Sequence, residues 1–577
     1  MLNNYYTVKK RLLSILVATI FLFCVIIFRL FYIQIVWGKN LQAIAMEQWA
    51  RSLPLSAERG RILDTNGTII VDNMTAYTVY VRAKSVTDPD QVAETLSKVL
   101  DLNYNTVYSK VTNKGVSETT IKRQVTAEEM SIIRSQNLDG VYMASETTRI
   151  YPYGDFLTQV LGFVSVDGVG QSGIESYYDK YLSGIDGKIL TQTDLIGVEI
   201  DDEEIMYLPA VAGYDVVLTI DYAIQSAVEY VLDFIMQAHS PISAKCIVMD
   251  VTSGEILAMA INPSYDMNDI PRDDVETLME LSRNSLITDI YEPGSTFKVI
   301  TVSADLEEVS LGNTNAYDEN HIFSSSGVRY VDGGKISCWT KHINGKHSNQ
   351  NIAMALNNSC NPVFTDIALA LGADTFYGYL EKFGFGQTTG IDFAGEQSGL
   401  LVSLDTVTQG DLARIGFGQT IAITPIQLCT AVAAAVNGGI LYQPYLVKEI
   451  VDSNTGSVVK SFGSVVKGRA ISEETSKKIA EMLEGVVTNG SGKQCYIEGY
   501  QVGGKTGTAQ KYIDGVVAQG KNISSFVGFF PASSPKYLCL VMVDEPVGIT
   551  YGSVVAAPYA KLIFEFIINY YDLEPCE

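Results

Sequence analysis

Short Cys-x-x-Cys pairs are missing from this chain, and its 8 cysteines are scattered over 577 residues, which excludes a dense disulfide framework. Basic residues are in deficit: 41 Lys and Arg against 65 Asp and Glu give a formal charge of −24. That balance argues against nucleic acid and against anionic lipid as partners held by charge. A Gly-x-x-x-x-Gly-Lys-Ser/Thr phosphate loop is absent too, since Gly503-Gly504-Lys505-Thr506 has the wrong order. What is abundant is apolar side chain, 47% of the composition, enough for the cores of two or more domains and against disorder.

Lys9, Lys10 and Arg11 precede an uncharged run over 12–28, and an apolar stretch beyond Arg29 continues to the interfacial Trp37. The run is long enough to span a bilayer as a helix. Ala43-Ile44-Ala45 has the form of a signal cleavage site but stands too far beyond the run. The reading is therefore a cytoplasmic tail over 1–11, a retained single-pass anchor over 12–36, and the remaining mass outside, with no second long apolar stretch.

The extracytoplasmic part divides by pattern into a non-catalytic α+β pedestal over 37–220 and a second domain over 221–577. In the first, Arg59-Gly60-Arg61-Ile62-Leu63-Asp64 and the strand after Asn66-Gly67 predict a hairpin, and Asp88-Pro89 opens an amphipathic helix to about residue 100. Arg59, Arg61, Asp64 and Glu175 read as intradomain ion pairs and turn hydrogen bonds. In the second, strands over 245–250, 255–260, 525–530 and 537–543 bracket helical runs over 351–357, 362–371 and 424–436. This predicts an α+β fold, an antiparallel sheet flanked by helices. Two polar loops interrupt it, Asn358-Ser359-Cys360-Asn361 and Gly503-Gly504-Lys505-Thr506-Gly507-Thr508.

Tyr291-Glu292-Pro293-Gly294-Ser295-Thr296-Phe297-Lys298 is a Pro-Gly turn opening into an apolar helical run. On a helix Ser295 and Lys298 share a face, and a lysine in an apolar site can lose enough basicity to take a serine proton. The same spacing recurs at Ser457/Lys460, Ser464/Lys467 and Ser533/Lys536. The first two of these flank Val-Val pairs, where a strand sends the two residues to opposite faces, and the third encloses Pro535.

In chain order Ser295-x-x-Lys298, Ser359-x-Asn361 and Lys505-Thr506-Gly507 resemble the three-part signature of penicillin-binding proteins and serine β-lactamases. The pedestal landmarks Arg59-Gly60-Arg61, Arg149-Ile150-Tyr151-Pro152 and Gly173-Ile174-Glu175, with Gly416-Phe417-Gly418-Gln419 later, are similar to those of class B penicillin-binding proteins, monofunctional peptidoglycan D,D-transpeptidases. The resemblance implies a five-stranded antiparallel transpeptidase sheet. It implies attack by Ser295 on the D-Ala-D-Ala carbonyl of a stem peptide, release of D-Ala, and acylation by β-lactams. Lys298 is then the base, Ser359 and Asn361 relay a proton and hold an amide, Lys505 supplies positive potential, and Thr506, Gly507 and Thr508 bind the substrate carboxylate. The backbone N–H groups of Ser295 and Thr508 form the oxyanion hole.

No cofactor is required by such chemistry, and a membrane glycan polymerase and other division proteins are the implied partners. Cys338-Trp339 and Asn361-Pro362-Val363-Phe364 look most like Gram-positive division or sporulation members. A D,D-carboxypeptidase, a β-lactamase, a β-lactam sensor and a non-catalytic scaffold are the alternatives. The intact motifs weigh against a scaffold, and 11 tail residues leave no signalling module for a sensor.

Three of the four histidines and two cysteines fall between His321 and Cys360. Cys338, His347 and Cys360 with Asp332 have the ligand types of a tetrahedral zinc site, at irregular spacing. Two thiols, or a Cys338–Cys360 disulfide, are the alternatives.

Overall fold

The structure is a computed structural model and describes residues 2–38, 50–116, 118–192, 206–324, 327–339, 348–513 and 516–576. The chain falls into two compact units, 1–58 with 184–212 and 59–183 with 213–577.

The first unit holds helix Leu2–Phe31, a π turn Tyr32–Val36, and a three-stranded antiparallel sheet of Ala50–Leu55, Gly187–Gln192 and Met206–Leu208. The apolar span Lys9–Ile35 has 27 residues, none of its apolar window buried in protein, and about 40 Å of length at 1.5 Å per residue. Leu12 and Phe21, nine residues apart and so on opposite sides of the helix, are both exposed, and an apolar surface all round suits hydrocarbon, as in a single-pass membrane anchor.

The second unit contains a mixed sheet and an antiparallel sheet. In the mixed sheet the predicted hairpin is present: Ile62 pairs with Val71 across the Gly67 turn, and the Asp64 carboxylate accepts Thr68 N–H at 2.6 Å. Ile62–Leu63 also runs parallel to Asp215–Leu218, which pairs with Val447–Val451. Strands from the first and last thirds of the chain therefore share one sheet. Helix Pro89–Val99 starts where predicted, with the Asp88 side chain capping Gln91 N–H.

Buried charges fasten the base. Glu175 accepts from Arg59 Nε and Arg149 Nε, both at 2.7 Å, and Arg59 also meets Asp179 at 2.7 Å. Two buried guanidiniums share one fully buried carboxylate, so removing it strands both. Glu175→Ala is expected to cost about 3–5 kcal/mol, read as a fall in melting temperature of the full chain.

The antiparallel sheet has five strands in the order Ile256–Asn262, Ser243–Asp250, Tyr537–Asp544, Val516–Phe530, Gly503–Ile513. Side-chain alternation gives it two faces. Cys246, Val248, Phe526 and Val541 pack under helices Tyr222–His239 and Ala557–Tyr570. Ile247, Met249, Val527 and Leu540 face the large core that includes Phe297, Val299 and Ile300. The segment Gly552–Tyr570 is long and apolar enough to cross a membrane, yet half of its apolar window is buried against this sheet, so it is a core element.

One expectation is corrected here. Gly503-Gly504-Lys505-Thr506-Gly507-Thr508, read as a loop, is the first half of the edge strand, paired with Val516–Phe530 from Gly503↔Phe529 onward. Three glycines have poor strand preference, but packing demands them: a Cβ on Gly504 would lie 2.5 Å from Phe526 Cζ, and one on Gly503 2.6 Å from Phe529 Cζ.

Candidate active site

Four elements meet at the outer end of this edge strand. Gly294–Phe297 forms a 3₁₀ turn, and the α-helix Lys298–Ser310 begins after it. In a 3₁₀ turn residues three apart eclipse each other, which places Lys298 beside Ser295 more directly than the α-helix predicted from sequence. The turn is clamped from behind: Gly294 N–H donates to Gly418 O at 2.9 Å, and Thr420 N–H donates to Glu292 Oε1 at 2.8 Å. A Cβ on Gly418, whose φ is +81°, would sit 2.1 Å from Gly294 O, so the Gly416-Phe417-Gly418-Gln419 segment needs glycine there.

Lys298 is fully buried, and its Nζ contacts side-chain oxygens of Ser295, Ser359 and Asn361. It lies within hydrogen-bond distance of Ser295 Oγ at 3.0 Å, Ser359 Oγ at 3.0 Å, Ser359 O at 2.9 Å and Asn361 Oδ1 at 2.7 Å. Burial pulls its pKa down to about 7. An amine of that basicity, held against a partly exposed hydroxyl, can take the hydroxyl proton near neutral pH.

Ser359 lies between helices Ile352–Asn357 and Asn361–Leu371 in a left-handed conformation, φ +54°, uncommon for a residue with a side chain. That conformation brings Ser359 Oγ between two amines, because Lys505 Nζ also donates to it, at 3.1 Å. Lys505 is fully buried as well, and burial together with the neighbouring Lys298 charge lowers its pKa well below the usual lysine value. Two amines sharing one hydroxyl make a proton path between them.

The third motif approaches through Gly507, where an added Cβ would meet Ser525 Oγ at 2.5 Å and Thr296 Cγ2 at 3.1 Å. Thr506 Oγ1 is hydrogen-bonded to Ser491 Oγ at 3.0 Å, and Thr508 Oγ1 accepts Gly552 N–H at 3.3 Å. Ser491 is a site residue missed from sequence. Its only local signal is the polar Asn489-Gly490-Ser491-Gly492 stretch, and its place is set by its N–H bond to Asn357 O. All eight predicted residues, Ser295, Lys298, Ser359, Asn361, Lys505, Thr506, Gly507 and Thr508, thus belong to segments that converge. Two of the look-alike pairs do not: Lys460 and Lys467 lie on strands Val458–Ser461 and Val465–Arg469.

This geometry has close relatives. The profile of the penicillin-binding protein transpeptidase domain matches residues 244–565. The chain belongs to the penicillin-binding protein transpeptidase family. Ahead of that domain, the penicillin-binding protein dimerisation domain matches residues 54–218. Stage V sporulation protein D of Bacillus subtilis is 41% identical over 96% of this chain and 84% of its own length. The peptidoglycan D,D-transpeptidase FtsI of Escherichia coli is 28% identical over 90% of this chain and 85% of its own. A peptidoglycan synthetase from Bifidobacterium adolescentis has a solved structure similar to this one with a TM-score of 0.71 at 25% identity, covering 92% of this chain and 98% of that one.

The zinc expectation for this penicillin-binding protein is not supported. Cys360 is buried and hydrogen-bonded to the Cys338 sulfur, and that bond together with burial pushes its thiol pKa up. No disulfide joins the two sulfurs in this structure. Asp332 is turned to another task, accepting Gly410 N–H at 2.7 Å at the start of helix Gln409–Ile415. His347 lies outside the described residues. Among the described residues no three His, Cys, Asp or Glu side chains gather to hold a metal.

Proposed function

We propose that this protein is a membrane-anchored peptidoglycan D,D-transpeptidase that works in septal or spore wall synthesis and is acylated by β-lactams. The observation that carries the reading is one buried amine, Lys298 Nζ, in contact with Ser295, Ser359 and Asn361 at once. Neutral Lys298 takes the Ser295 proton as Oγ attacks the carbonyl of the penultimate D-Ala. The backbone N–H groups of Ser295 and Thr508 hold the oxyanion. The C–N bond breaks, and the D-Ala amine leaves with a proton passed from Lys298 through Ser359. An acceptor amine from a neighbouring stem then attacks the ester, and the same relay runs in reverse.

Substrate positioning follows from the strand. Among the described residues Gly503–Ile513 is an edge strand paired on one side only, and an extended stem peptide adds on the other as a further strand. Thr506 and Thr508 bind its terminal carboxylate while Asn361 holds an amide and Lys505 supplies positive potential. Ser491 orients the Thr506 hydroxyl. Ser491→Ala is expected to slow acylation by penicillin about fivefold, the worth of about one hydrogen bond, with the melting temperature unchanged.

The positive residues before the anchor orient residues 1–11 toward the cytoplasm and the catalytic part outward. The expected division, with a pedestal over 37–220 and a transpeptidase domain over 221–577, belongs to this reading, as does a glycan polymerase of the membrane acting on the same strand. The test is incubation of the full chain with a polymerase and its lipid-linked precursor, followed by digestion and chromatography of the glycan. Cross-linked dimers carrying one fewer D-Ala support transpeptidation. Monomers trimmed of D-Ala without dimers would replace it with the carboxypeptidase reading.

A further inference from the structure

Far along the chain from the Ser295 motifs, a cleft of about 540 Å³ opens where the short helices of 173–182 meet strands of 440–465. Its floor is aromatic. Tyr178 and Phe462 pack edge to face at 6.0 Å, and Tyr177, beside Tyr178 at 5.2 Å, leaves about half of its side chain exposed. Two lysines rim it, each parked on a ring: Lys180 Nζ lies 4.8 Å from the Tyr181 centroid and Lys460 Nζ 4.5 Å from the Phe462 centroid. Neither amine has a carboxylate within 4.0 Å among the described residues.

The carboxylate that does line the cleft is already satisfied. Asp392 is half-buried and accepts from Tyr178 Oη at 2.7 Å, Leu446 N–H at 2.7 Å and Val447 N–H at 3.0 Å. Its charge is spent on the protein, and the two amines remain uncompensated in a chain whose formal charge is −24. An exposed ring face stacks on a sugar or an amide plane, and two fixed amines with no partner call for an anion. The volume suits a ligand larger than a single ion.

We propose that this cleft is a second binding site for an anionic glycopeptide, a disaccharide bearing a short stem peptide with free carboxylates, separate from the site of acyl transfer. The sugar or peptide plane lies on Tyr177 and the carboxylates reach Lys180 and Lys460. None of the three motif segments lines the cleft. The choice of ligand rests on the peptidoglycan reading, while the chemistry of the cleft does not.

The test uses the full chain in lipid nanodiscs, acylated with penicillin so that Ser295 is blocked, and titrated with a purified disaccharide-tripeptide that lacks D-Ala-D-Ala. Saturable binding is expected, weaker by about tenfold or more in Lys180→Glu/Lys460→Glu and in Tyr177→Ala, and for a neutral disaccharide with no peptide. Penicillin labelling of the variants checks that they are folded. Equal binding by the double variant, equal binding by the neutral disaccharide, or loss of binding on acylation of the wild type would overturn the proposal. Absence of any penicillin label on the wild type would count against the transpeptidase reading instead, and the dependence on Lys180 and Lys460 would still decide the cleft.

Discussion

Ser295→Ala is expected to abolish covalent labelling of the full chain by fluorescent penicillin, a loss of at least about 10⁴-fold, while the circular dichroism spectrum and melting temperature stay those of the wild type. The size of the effect follows from the chemistry. Removing the oxygen that becomes the ester leaves no group to carry the acyl chain, and no other hydroxyl takes its place. Ser359 Oγ is the nearest alternative, but it is held between Lys298 and Lys505 behind the turn and is buried. The fold tolerates the change because Ser295 is partly exposed and its hydroxyl accepts one hydrogen bond, from Lys298. Labelling that survives the substitution would refute Ser295 as the nucleophile.

Lys298→Met is expected to slow acylation by about 10²–10⁴-fold, the usual worth of a positioned base, in single-turnover labelling with penicillin. Methionine fills this fully buried position with nearly the same length, so the packing of the stem is kept while the amine and its contacts to Ser295, Ser359 and Asn361 are lost. Lys298→Arg is not expected to rescue, since a guanidinium keeps its charge at any pH of interest. The wild-type rate carries the sign of the lysine shift. Burial disfavours the charged amine, so Lys298 becomes protonated only below about pH 7. Acylation should level off above that value and fall about tenfold per pH unit beneath it, because the protonated amine has no lone pair to accept the serine proton. Lys505 stands against the same Ser359 hydroxyl, and burial together with the neighbouring Lys298 charge lowers its pKa as well. A rate independent of pH between 5 and 9 would sink Lys298 as the base.

Legibility from sequence differed by element for physical reasons. The anchor, the Asp88-capped helix, the Asn66-Gly67 hairpin and the Ile256–Asn262 strand were readable because each is governed by local rules of period, capping and turn chemistry. The edge strand Gly503–Ile513 was not, because its glycines satisfy Phe526 and Phe529 rings, neighbours that only strand pairing supplies. Ser491 escaped for the same reason: its partner Thr506 comes from another element. The proposed zinc site failed in the opposite direction. Ligand types clustered in sequence, yet the turn carrying Asp332 is drawn to Gly410, away from the paired sulfurs of Cys338 and Cys360.

The residue types of the chemistry, their order along the chain and the apolar anchor are properties of the sequence by itself. Serine, lysine and asparagine at those spacings declare what groups are available, and an uncharged run declares what medium will cover it. Basicity and proximity are not properties of a string. Lys298 is an ordinary lysine until the core closes over it and lowers its pKa to about 7, and it meets Ser359, 61 residues away, only because two helices and an edge strand pack on one sheet. Desolvation and through-space contact are set by folding, and they decided which of the Ser-x-x-Lys pairs is placed to react.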